Sequence, residues 1–417
     1  MKTALFLARR MKLGADGSRR SRMAIVVPVI GVTLSIVIML LTIAIISGFK
    51  NEITRKITGF DSQISISETT DAIVNEPVIE RDSRLIDIIR QNVPGADVSL
   101  SLYQPAMLKT NDDFSALIFR SYDDPAKWDF VRENIVEGQF PFDSPDTDEA
   151  ENSIILSTTM ASQMQLKVGD KINTCFFIDG KIRLRNYKVA ALYNTNFGDY
   201  DRSIGYASPT SIRSLRGLRD NEASLIELSG LAPDRIDVNA ANLRRALTSA
   251  YNLGEIEKIY SVSAITETGA IYFNWLSLLD TNVVVIIILM SAISIFTLIS
   301  SLFILILERV SMIGSLKAIG AGDGLIRRTF ILLASRIFIR GLVFGNIIGI
   351  GLIFIQRATH LVRLNPDSYY VSYVPAEISL WQILLLNAVA LIVCFAVMII
   401  PSHIISRMKP ARIIHFE

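Results

Sequence analysis

Residues 24–46 read AIVVPVIGVTLSIVIMLLTIAII and include no charged side chain. At about 1.5 Å per residue, a helix of this length exceeds the roughly 30 Å hydrocarbon core of a bilayer. A basic segment precedes the run, as in a signal peptide, but the run is too long for a signal-peptide core and no small-residue cleavage pattern follows it. We therefore predict an uncleaved first membrane span.

Three further apolar runs lie in the last third of the chain. Thr281–Leu307 and Ile378–Ile400 are uncharged, and Thr329–Gln356 has the same character except for Arg336 and Arg340 in its first half. A charge at mid-bilayer costs about 2.5–3.5 kcal/mol, but a long side chain closer to the helix end can reach the headgroups. We predict four spans, with a large polar insertion between the first and the second.

The short flanks of these runs predict the orientation, because Lys and Arg near span ends favour the cytoplasm. The first run follows a flank with one acid, Asp16, and the bases Lys2, Arg9, Arg10, Lys12, Arg19, Arg20 and Arg22. The loop between the second and third runs carries Arg309, Lys317, Arg327 and Arg328 against Glu308 and Asp323. Both termini are predicted to be cytoplasmic and the insertion to face outward.

Composition agrees with a membrane protein: half of the residues are hydrophobic, the mean hydropathy is +0.39 and the formal net charge is +2. This charge balance predicts no nucleic-acid partner. The two cysteines, Cys175 in the insertion and Cys394 in the fourth run, are too differently placed to form a disulfide. The insertion must therefore fold on its own apolar core.

The insertion alternates in the manner of strands at Gln63–Ser67, Val98–Tyr103 and Lys181–Val189. Two amphipathic helices, Ser83–Asn92 and Val238–Tyr251, interrupt the strands. The predicted class of this domain is α+β.

The residues that flank the insertion continue the helical pattern beyond the membrane. The apolar positions are Phe49, Ile53 and Ile57 after the first run and Ile265, Tyr272, Leu276 and Leu279 before the second. Two packed helical extensions would form a stalk that passes movement to the outer domain. The alternative is a pair of helices that only anchor the domain.

No pattern in the chain predicts catalysis. It has no G-x-x-x-x-G-K-[ST] loop for a nucleotide, and His360, His403 and His415 lack the spacing of metal ligands. We predict no catalytic residue, no metal and no cofactor bound by this chain. Gly341, Gly345 and Gly349 form two small-xxx-small steps in the third run, which favour helix packing in lipid and leave a gating hinge as the alternative.

The loop between the second and third runs predicts a short helix. It carries an apolar stripe at Met312, Leu316 and Ile319, followed by a Gly320-Ala321-Gly322 stop. Such a helix can bind a groove of a soluble partner or rest on lipid headgroups.

Four segments resemble a known family: LFLARRM (5–11), SGFKNEITRKITGFDSQISI (47–66), IILSTTMASQMQLKVGDKI (154–172) and ERVSMIGSLKAIGAGDGLIRRTF (308–330). In these segments the chain resembles the permease subunits of Lol lipoprotein-releasing systems, within the MacB/FtsX superfamily of ABC transporter membrane proteins. The resemblance implies an α-helical membrane protein with four transmembrane helices and a large α+β periplasmic domain between helices 1 and 2.

The segments expected from the spans and the resemblance run in chain order. They are a cytoplasmic amphipathic segment (1–22), helix 1 (23–47), a stalk extension (48–60), the periplasmic domain (61–263), a second extension (264–280), helix 2 (281–307), a cytoplasmic coupling loop (308–328), helix 3 (329–356), a short periplasmic loop (357–377), helix 4 (378–400) and a cytoplasmic tail (401–417).

The resemblance also implies partners. They are ABC-type ATPase subunits that bind ATP and Mg, a second permease subunit (identical or sister), a lipoprotein substrate and a periplasmic lipoprotein chaperone, all acting at the cell inner membrane. The implied ATPase-coupling residues are Glu308, Arg309, Met312, Ile313, Leu316, Lys317 and Gly320. The implied lipoprotein-facing residues are Ile46, Phe49, Ile53 and Leu276.

Two other functions remain open from the sequence. A permease of the same superfamily can serve another purpose, either export of a peptide or drug from the periplasm or activation of a cell-wall hydrolase. A membrane-anchored sensor or scaffold would need no ATPase.

Overall fold

The computed structural model describes residues 19–69, 77–110, 113–143, 147–178, 180–308 and 310–406. In chain order its α-helices are α1 (Arg19–Phe60), α2 (Ser83–Asn92), α3 (Asp129–Glu133), α4 (Asp148–Glu151), α5 (Thr158–Gln163), α6 (Gly198–Asp201), α7 (Pro209–Arg216), α8 (Ile236–Asn252), α9 (Ile265–Thr268), α10 (Ala270–Glu308), α11 (Val310–Ala318), α12 (Asp323–Thr359), α13 (Pro366–Tyr369) and α14 (Leu380–Ser406). Most of the predicted N-terminal segment and of the C-terminal tail lies outside the described residues.

The strands, in chain order, are β1 (Ile64–Glu68), β2 (Ile79–Glu80), β3 (Asp97–Lys109), β4 (Phe114–Tyr122), β5 (Ile135–Gly138), β6 (Ser153–Ser157), β7 (Lys171–Ile178), β8 (Lys181–Tyr193), β9 (Ile204–Ala207), β10 (Glu222–Ala223), β11 (Leu225–Ser229) and β12 (Tyr260–Ala264). Short 3₁₀ helices occur at Pro125–Trp128 and Pro233–Arg235.

The described residues form two units. The membrane unit consists of the residues up to Asn51, Leu276–Arg363 and the residues from Tyr373 onward. The α/β unit consists of Glu52–Trp275 and Leu364–Ser372.

Four helices are long and apolar enough to cross a membrane within the part of the chain that is described. These candidate spans are Val26–Phe60, Ala270–Glu308, Asp323–Thr359 and Leu380–Met398. Each of the four predicted apolar runs coincides with one of them. Large apolar side chains such as Ile288, Phe296 and Phe354 stay exposed on these helices, which suits contact with lipid rather than water.

A mixed sheet forms the centre of the α/β unit. Among the described residues, its strands follow the order β12-β1-β11-β3-β4-β9-β6-β8-β5, and β7 pairs with β3 and β8. The β4–β9 and β6–β8 pairs are parallel and the other neighbours are antiparallel. The predicted strands at 63–67, 98–103 and 181–189 are confirmed as parts of β1, β3 and β8. Both β3 and β8 extend further than their alternation predicted, to Lys109 and Tyr193.

Both predicted helices of the domain are confirmed, and local capping explains where one of them begins. The Asp82 side chain accepts a hydrogen bond from the Arg84 N–H ahead of α2, which satisfies a donor that the helix leaves free. The second predicted helix lies inside α8, which packs against β12 and α2.

The helical extension before the second span begins later than predicted. The expected segment starts at residue 264, but β12 holds Ala264 in register with Ile64 of β1. Extended pairing at that point delays the helix. α9 then covers a single turn, and α10 begins only after Gly269. Ile265 therefore belongs to a separate helix from Tyr272 and Leu276.

The loop between the second and third spans is shorter than predicted, because α12 already begins at Asp323. Gly322 has the extended conformation of a helix-capping residue, with φ −67° and ψ 147°. The residues 323–328, assigned to the loop from their charge, are thus helical.

Candidate functional sites

The helix α11, between the second and third spans, has a buried side and an exposed end. Ile313 is fully buried in the apolar core of the membrane unit, which also contains Ile326 and Phe330 of α12. Met312 and Leu316 are half-buried, and Ile319 is 85% exposed just beyond the helix. Burial of Ile313 holds α11 against the spans, and of the predicted apolar stripe only Ile319 stays largely exposed.

The corner from α11 to α12 is closed by several contacts. The Lys317 Nζ lies 2.8 Å from Asp323 Oδ1, and the Ala321 N–H donates to the Leu316 carbonyl at 2.9 Å. Gly320 adopts φ +92°, a conformation that favours glycine. These contacts fix the direction in which the chain leaves α11.

Two further members of the predicted coupling set precede α11 in the sequence. Glu308 is exposed at the end of α10. Arg309 lies outside the described residues.

The four predicted lipoprotein-facing residues do not share one exposed surface. Ile53 is fully buried and Leu276 is 3% exposed. Ile46 and Phe49 are half-buried. Because a buried side chain cannot offer apolar surface to a ligand, only Ile46 and Phe49 retain part of the predicted face.

The three glycines of α12 lie against α1. A Cβ atom at Gly341 would stand 2.7 Å from Val32 Cβ, and one at Gly345 would stand 2.7 Å from Ile36 Cβ. At Gly349 the nearest atom would be Leu40 Cδ1, at 2.8 Å. Distances this short leave no room for a side chain, so the backbones of α1 and α12 approach closely along this stripe. The Thr33 hydroxyl also donates to the Gly341 carbonyl, at 3.2 Å.

The membrane unit contains a pair of hydrogen-bonded amide side chains that no sequence pattern predicted. Asn346 Nδ2 donates to Asn387 Oδ1 at 2.7 Å, and Asn387 Nδ2 donates back to Asn346 Oδ1 at 2.9 Å. The pair joins α12 to α14. One asparagine inside each of two apolar runs is the available signal, but the sequence does not show that the two face each other.

A polar cluster in the α/β unit also escaped it. The Arg120 guanidinium on β4 donates to the Phe60 carbonyl at the end of α1 and to the Asp61 carboxylate. The Tyr200 hydroxyl donates to the other Asp61 oxygen at 2.7 Å. Burial, followed by the neighbouring Asp61 charge, raises the pKa of Tyr200 above its ordinary value. Tyr200 therefore stays protonated as the donor.

Aromatic rings surround the same helix end. The Phe60 ring lies 4.6 Å from Tyr200, 5.2 Å from Phe130 and 6.4 Å from Phe197, measured between centroids. Gly59 permits the Phe130 contact, because a Cβ there would lie 2.3 Å from that ring. The end of α1 is thus held in the α/β unit by both polar and aromatic contacts.

The described residues contain no group of three or more His, Cys, Asp or Glu side chains that could hold a metal ion.

Two family models match the chain in succession. The MacB-like periplasmic core domain matches residues 26–244, more than half of the chain. The FtsX-like permease C-terminal model matches residues 284–410, which contain α11, α12 and α14.

Curated relatives match at low identity, some over nearly the whole length and one over about two thirds of it. The lipoprotein-releasing system transmembrane protein LolE of Haemophilus influenzae is 21% identical over 99% of this chain and 99% of its own. The corresponding LolC of Xylella fastidiosa strain 9a5c is 20% identical over 93% of each chain. LolC of Neisseria meningitidis serogroup B is 24% identical over 64% of this chain and 66% of its own.

Solved structures that match the chain cover about half of it. The extracellular domain of the noncanonic ABC-type transporter YknZ from Gram-positive bacteria covers 49% of this chain and 100% of its own, with 13% identity and a TM-score of 0.31. The periplasmic region of MacB from Actinobacillus actinomycetemcomitans covers 51% of this chain and 92% of its own, with 12% identity and a TM-score of 0.30. At these TM-scores the family assignment rests on the two family models and the curated relatives.

Both models occur in the order expected for a permease with an inserted domain, and four candidate spans accompany them. The chain therefore belongs to the MacB/FtsX superfamily of permeases and groups with its Lol-type members.

Proposed function

We propose that this chain is the permease subunit of an ATP-driven ABC transporter that extracts lipoproteins from the outer leaflet of the inner membrane and hands them to a periplasmic chaperone. The observation that carries the proposal is the full-length similarity to a lipoprotein-releasing transmembrane protein, supported by two family models in the expected order. The transporter combines two permease subunits, identical or sister, with separate ATPase subunits that bind ATP and Mg.

In this proposal both termini and α11 face the cytoplasm, and the α/β unit faces the periplasm. The excess of Lys and Arg on the flank before the first span and around α11 supports this orientation. An N-terminal tag should be accessible only from the cytoplasmic side of sealed vesicles, and periplasmic accessibility of the tag would refute the orientation.

The ATPase acts on the permease through α11. Ile319 enters an apolar groove of the ATPase, because it is the side chain of the predicted stripe that the spans leave exposed. Ile313 transmits the resulting movement, because it is packed into the membrane unit. The Lys317–Asp323 ion pair passes the movement on to the start of α12.

Movement of the spans reaches the periplasmic domain through α1. The helix continues past its apolar run to Phe60. There Arg120 donates a hydrogen bond to the Phe60 carbonyl, and aromatic rings pack against the Phe60 side chain. The work comes from ATP, because withdrawing an acyl chain from a membrane costs about 0.8 kcal/mol for each CH₂ group. The chain offers the same mechanism for another cargo, so the cargo needs its own test.

The coupling role is tested with Ile319→Glu in the assembled transporter. A charge at this exposed position should cost less than about 0.5 kcal/mol of stability and should abolish ATP-dependent release together with retention of the ATPase. Leu361→Glu, at the 74% exposed Leu361 of the other short loop, is the matched control. Normal release by the Ile319 variant would contradict the coupling role.

The cargo is tested in reconstituted vesicles that contain a triacylated lipoprotein. The proposal predicts transfer of the lipoprotein to a soluble acceptor only when ATP is supplied. An assembled transporter that hydrolyses ATP without releasing lipoprotein would instead support a superfamily member with another cargo. Purification of the chain without any retained ATPase would support the sensor or scaffold.

A further inference from the structure

A polar pocket of about 650 Å³ lies within the membrane unit. Its volume is in the range of about 300–1,000 Å³ that small-molecule sites occupy. Its walls come from the end of the first apolar run, the start of the second, the end of the third and the start of the fourth. All four candidate spans thus meet at this pocket.

The walls are joined by polar contacts between different elements. Lys50 Nζ of α1 lies 2.7 Å from Asp280 Oδ2 of α10. Asn51 Nδ2 donates to Glu377 Oε2 at 2.8 Å. The Gln382 amide of α14 donates to the Ser47 hydroxyl of α1 at 3.0 Å. These contacts hold the pocket in shape without filling it.

Arg357 brings a positive charge to the pocket without a protein acceptor. Its side chain lines the pocket from the end of α12 and is exposed. Among the described residues, the guanidinium takes part in no ion pair or hydrogen bond. A planar guanidinium with free donors is suited to a phosphate group.

Glu377 faces the same pocket with one carboxylate oxygen to spare. Its Oε2 accepts from Asn51, and within the described part of the chain Oε1 has no partner. The pocket therefore combines a free cation donor with a free anionic acceptor, which matches a ligand that carries both charges.

The apolar part of the lining locates the pocket in depth. Ile46 is the last residue of the first apolar run and Ile378 is the first of the fourth, and Ile43 and Val283 complete this part. Apolar runs end where the hydrocarbon core meets the headgroups. The pocket consequently lies at the depth of lipid phosphates, with apolar contacts for the start of the acyl chains.

We propose that this pocket binds the headgroup of a zwitterionic phospholipid with a primary ammonium, as in phosphatidylethanolamine. Arg357 donates to the phosphate oxygens, and Glu377 accepts from the ammonium. A quaternary ammonium has no N–H to donate to Glu377, so phosphatidylcholine binds less well. The inference requires only that the four helices span a membrane and does not depend on the cargo.

The test uses the full chain in detergent, stripped of lipid and offered phosphatidylethanolamine, phosphatidylglycerol or phosphatidylcholine with identical acyl chains. Native mass spectrometry measures the lipid retained. We expect one phosphatidylethanolamine to be retained preferentially, and Arg357→Gln to weaken its retention about tenfold. Arg363→Gln removes an exposed arginine that does not line the pocket and should leave retention unchanged.

Glu377→Gln separates the two halves of the site. It keeps an acceptor for Asn51 but removes the charge, so phosphatidylethanolamine should lose its advantage over phosphatidylglycerol. Equal retention by wild type and the Arg357 variant would overturn the proposal. Competition by inorganic phosphate at the lipid's own concentration would also overturn it, because the pocket would then bind the anion alone.

Discussion

The packing inside the membrane unit differs from the packing inside the α/β unit. In the membrane unit, glycines on α12 bring the backbone against Val32, Ile36 and Leu40 of α1, while many large apolar side chains stay exposed. In the α/β unit many large aromatic side chains are fully buried, including Tyr187, Tyr193 and Phe119.

The difference follows from the solvent. Lipid tails are as apolar as leucine, so apolar side chains gain little by leaving them, and close steric fit supplies the attraction between helices. In water, the burial of apolar surface supplies the main attraction between elements. A charge that is buried along with that surface needs a partner. Stability should therefore be most sensitive to shape in one unit and to charge pairing in the other.

The largest effect is expected from Arg120→Leu in the α/β unit. This change leaves the Asp61 carboxylate with only Tyr200 and removes a donor from the Phe60 carbonyl. Loss of one partner from a largely buried ion pair should lower the free energy of unfolding by about 3 kcal/mol. Guanidinium unfolding of the full chain, followed by near-ultraviolet circular dichroism, measures the loss.

Arg219→Leu is the control for this change. Arg219 pairs with Glu222 at 2.7 Å, but its side chain is 70% exposed, so its loss should leave the free energy of unfolding nearly unchanged. Similar losses for both variants would show that burial does not govern charge pairing in this unit.

Gly345→Leu tests steric fit in the membrane unit. Because its Cβ would collide with Ile36, the variant should lose about 2 kcal/mol in unfolding by dodecyl sulfate. Gly351→Leu introduces the same side chain on the same helix, where a Cβ meets no atom within 4 Å. Leucine favours a helix more than glycine does, so helix propensity cannot account for a loss. Equal destabilisation by both variants would mean that the contact with α1 is not its cause.

A smaller effect is expected from the amide pair. Asn387→Leu leaves the Asn346 amide without its side-chain partner and should cost about 1 kcal/mol. Replacing both asparagines by leucine should restore most of the lost stability, because no amide is then left without a hydrogen-bond partner. A double variant as unstable as the sum of the single ones would show that the two amides do not interact.

The smallest effect is expected from Glu267→Gln, and it depends on pH. Hydrogen bonds from Arg244 are the largest cause that lowers the pKa of Glu267 below its ordinary 4.5. A carboxylate whose pKa is lower in the folded than in the unfolded protein stabilises the folded state at any pH above its unfolded-state pKa. This stabilisation is lost as the pH falls through the folded-state pKa. The free energy of unfolding, measured by guanidinium titration, should be about 0.5 kcal/mol higher for wild type than for the variant at pH 7. The difference should shrink below pH 4.5. A constant difference across this range would exclude the charge as its cause.

How much the sequence predicted also differs between the units. Apolar runs identified the long helices, because their signal is composition over a whole span. Alternation identified both β1 and β8. It also gave the buried face of β1, where Ile64 and Ile66 are buried, but not that of β8, where Ile182 and Leu184 stay exposed. Local periodicity did not show that Ile53 and Leu276 would be buried, since it finds an apolar face without showing what covers it.

The candidate spans, their charged flanks and the resemblance to Lol permeases could all be recognised from the amino-acid sequence alone, because each depends on residues that are adjacent along the chain. The tertiary structure decided that Ile313 is packed while Ile319 is free, that Asn346 meets Asn387, and that Arg120 grips the end of α1. It also brought Lys50, Arg357 and Glu377 to one pocket. These groups lie far apart in the sequence, and only folding brings them within contact distance.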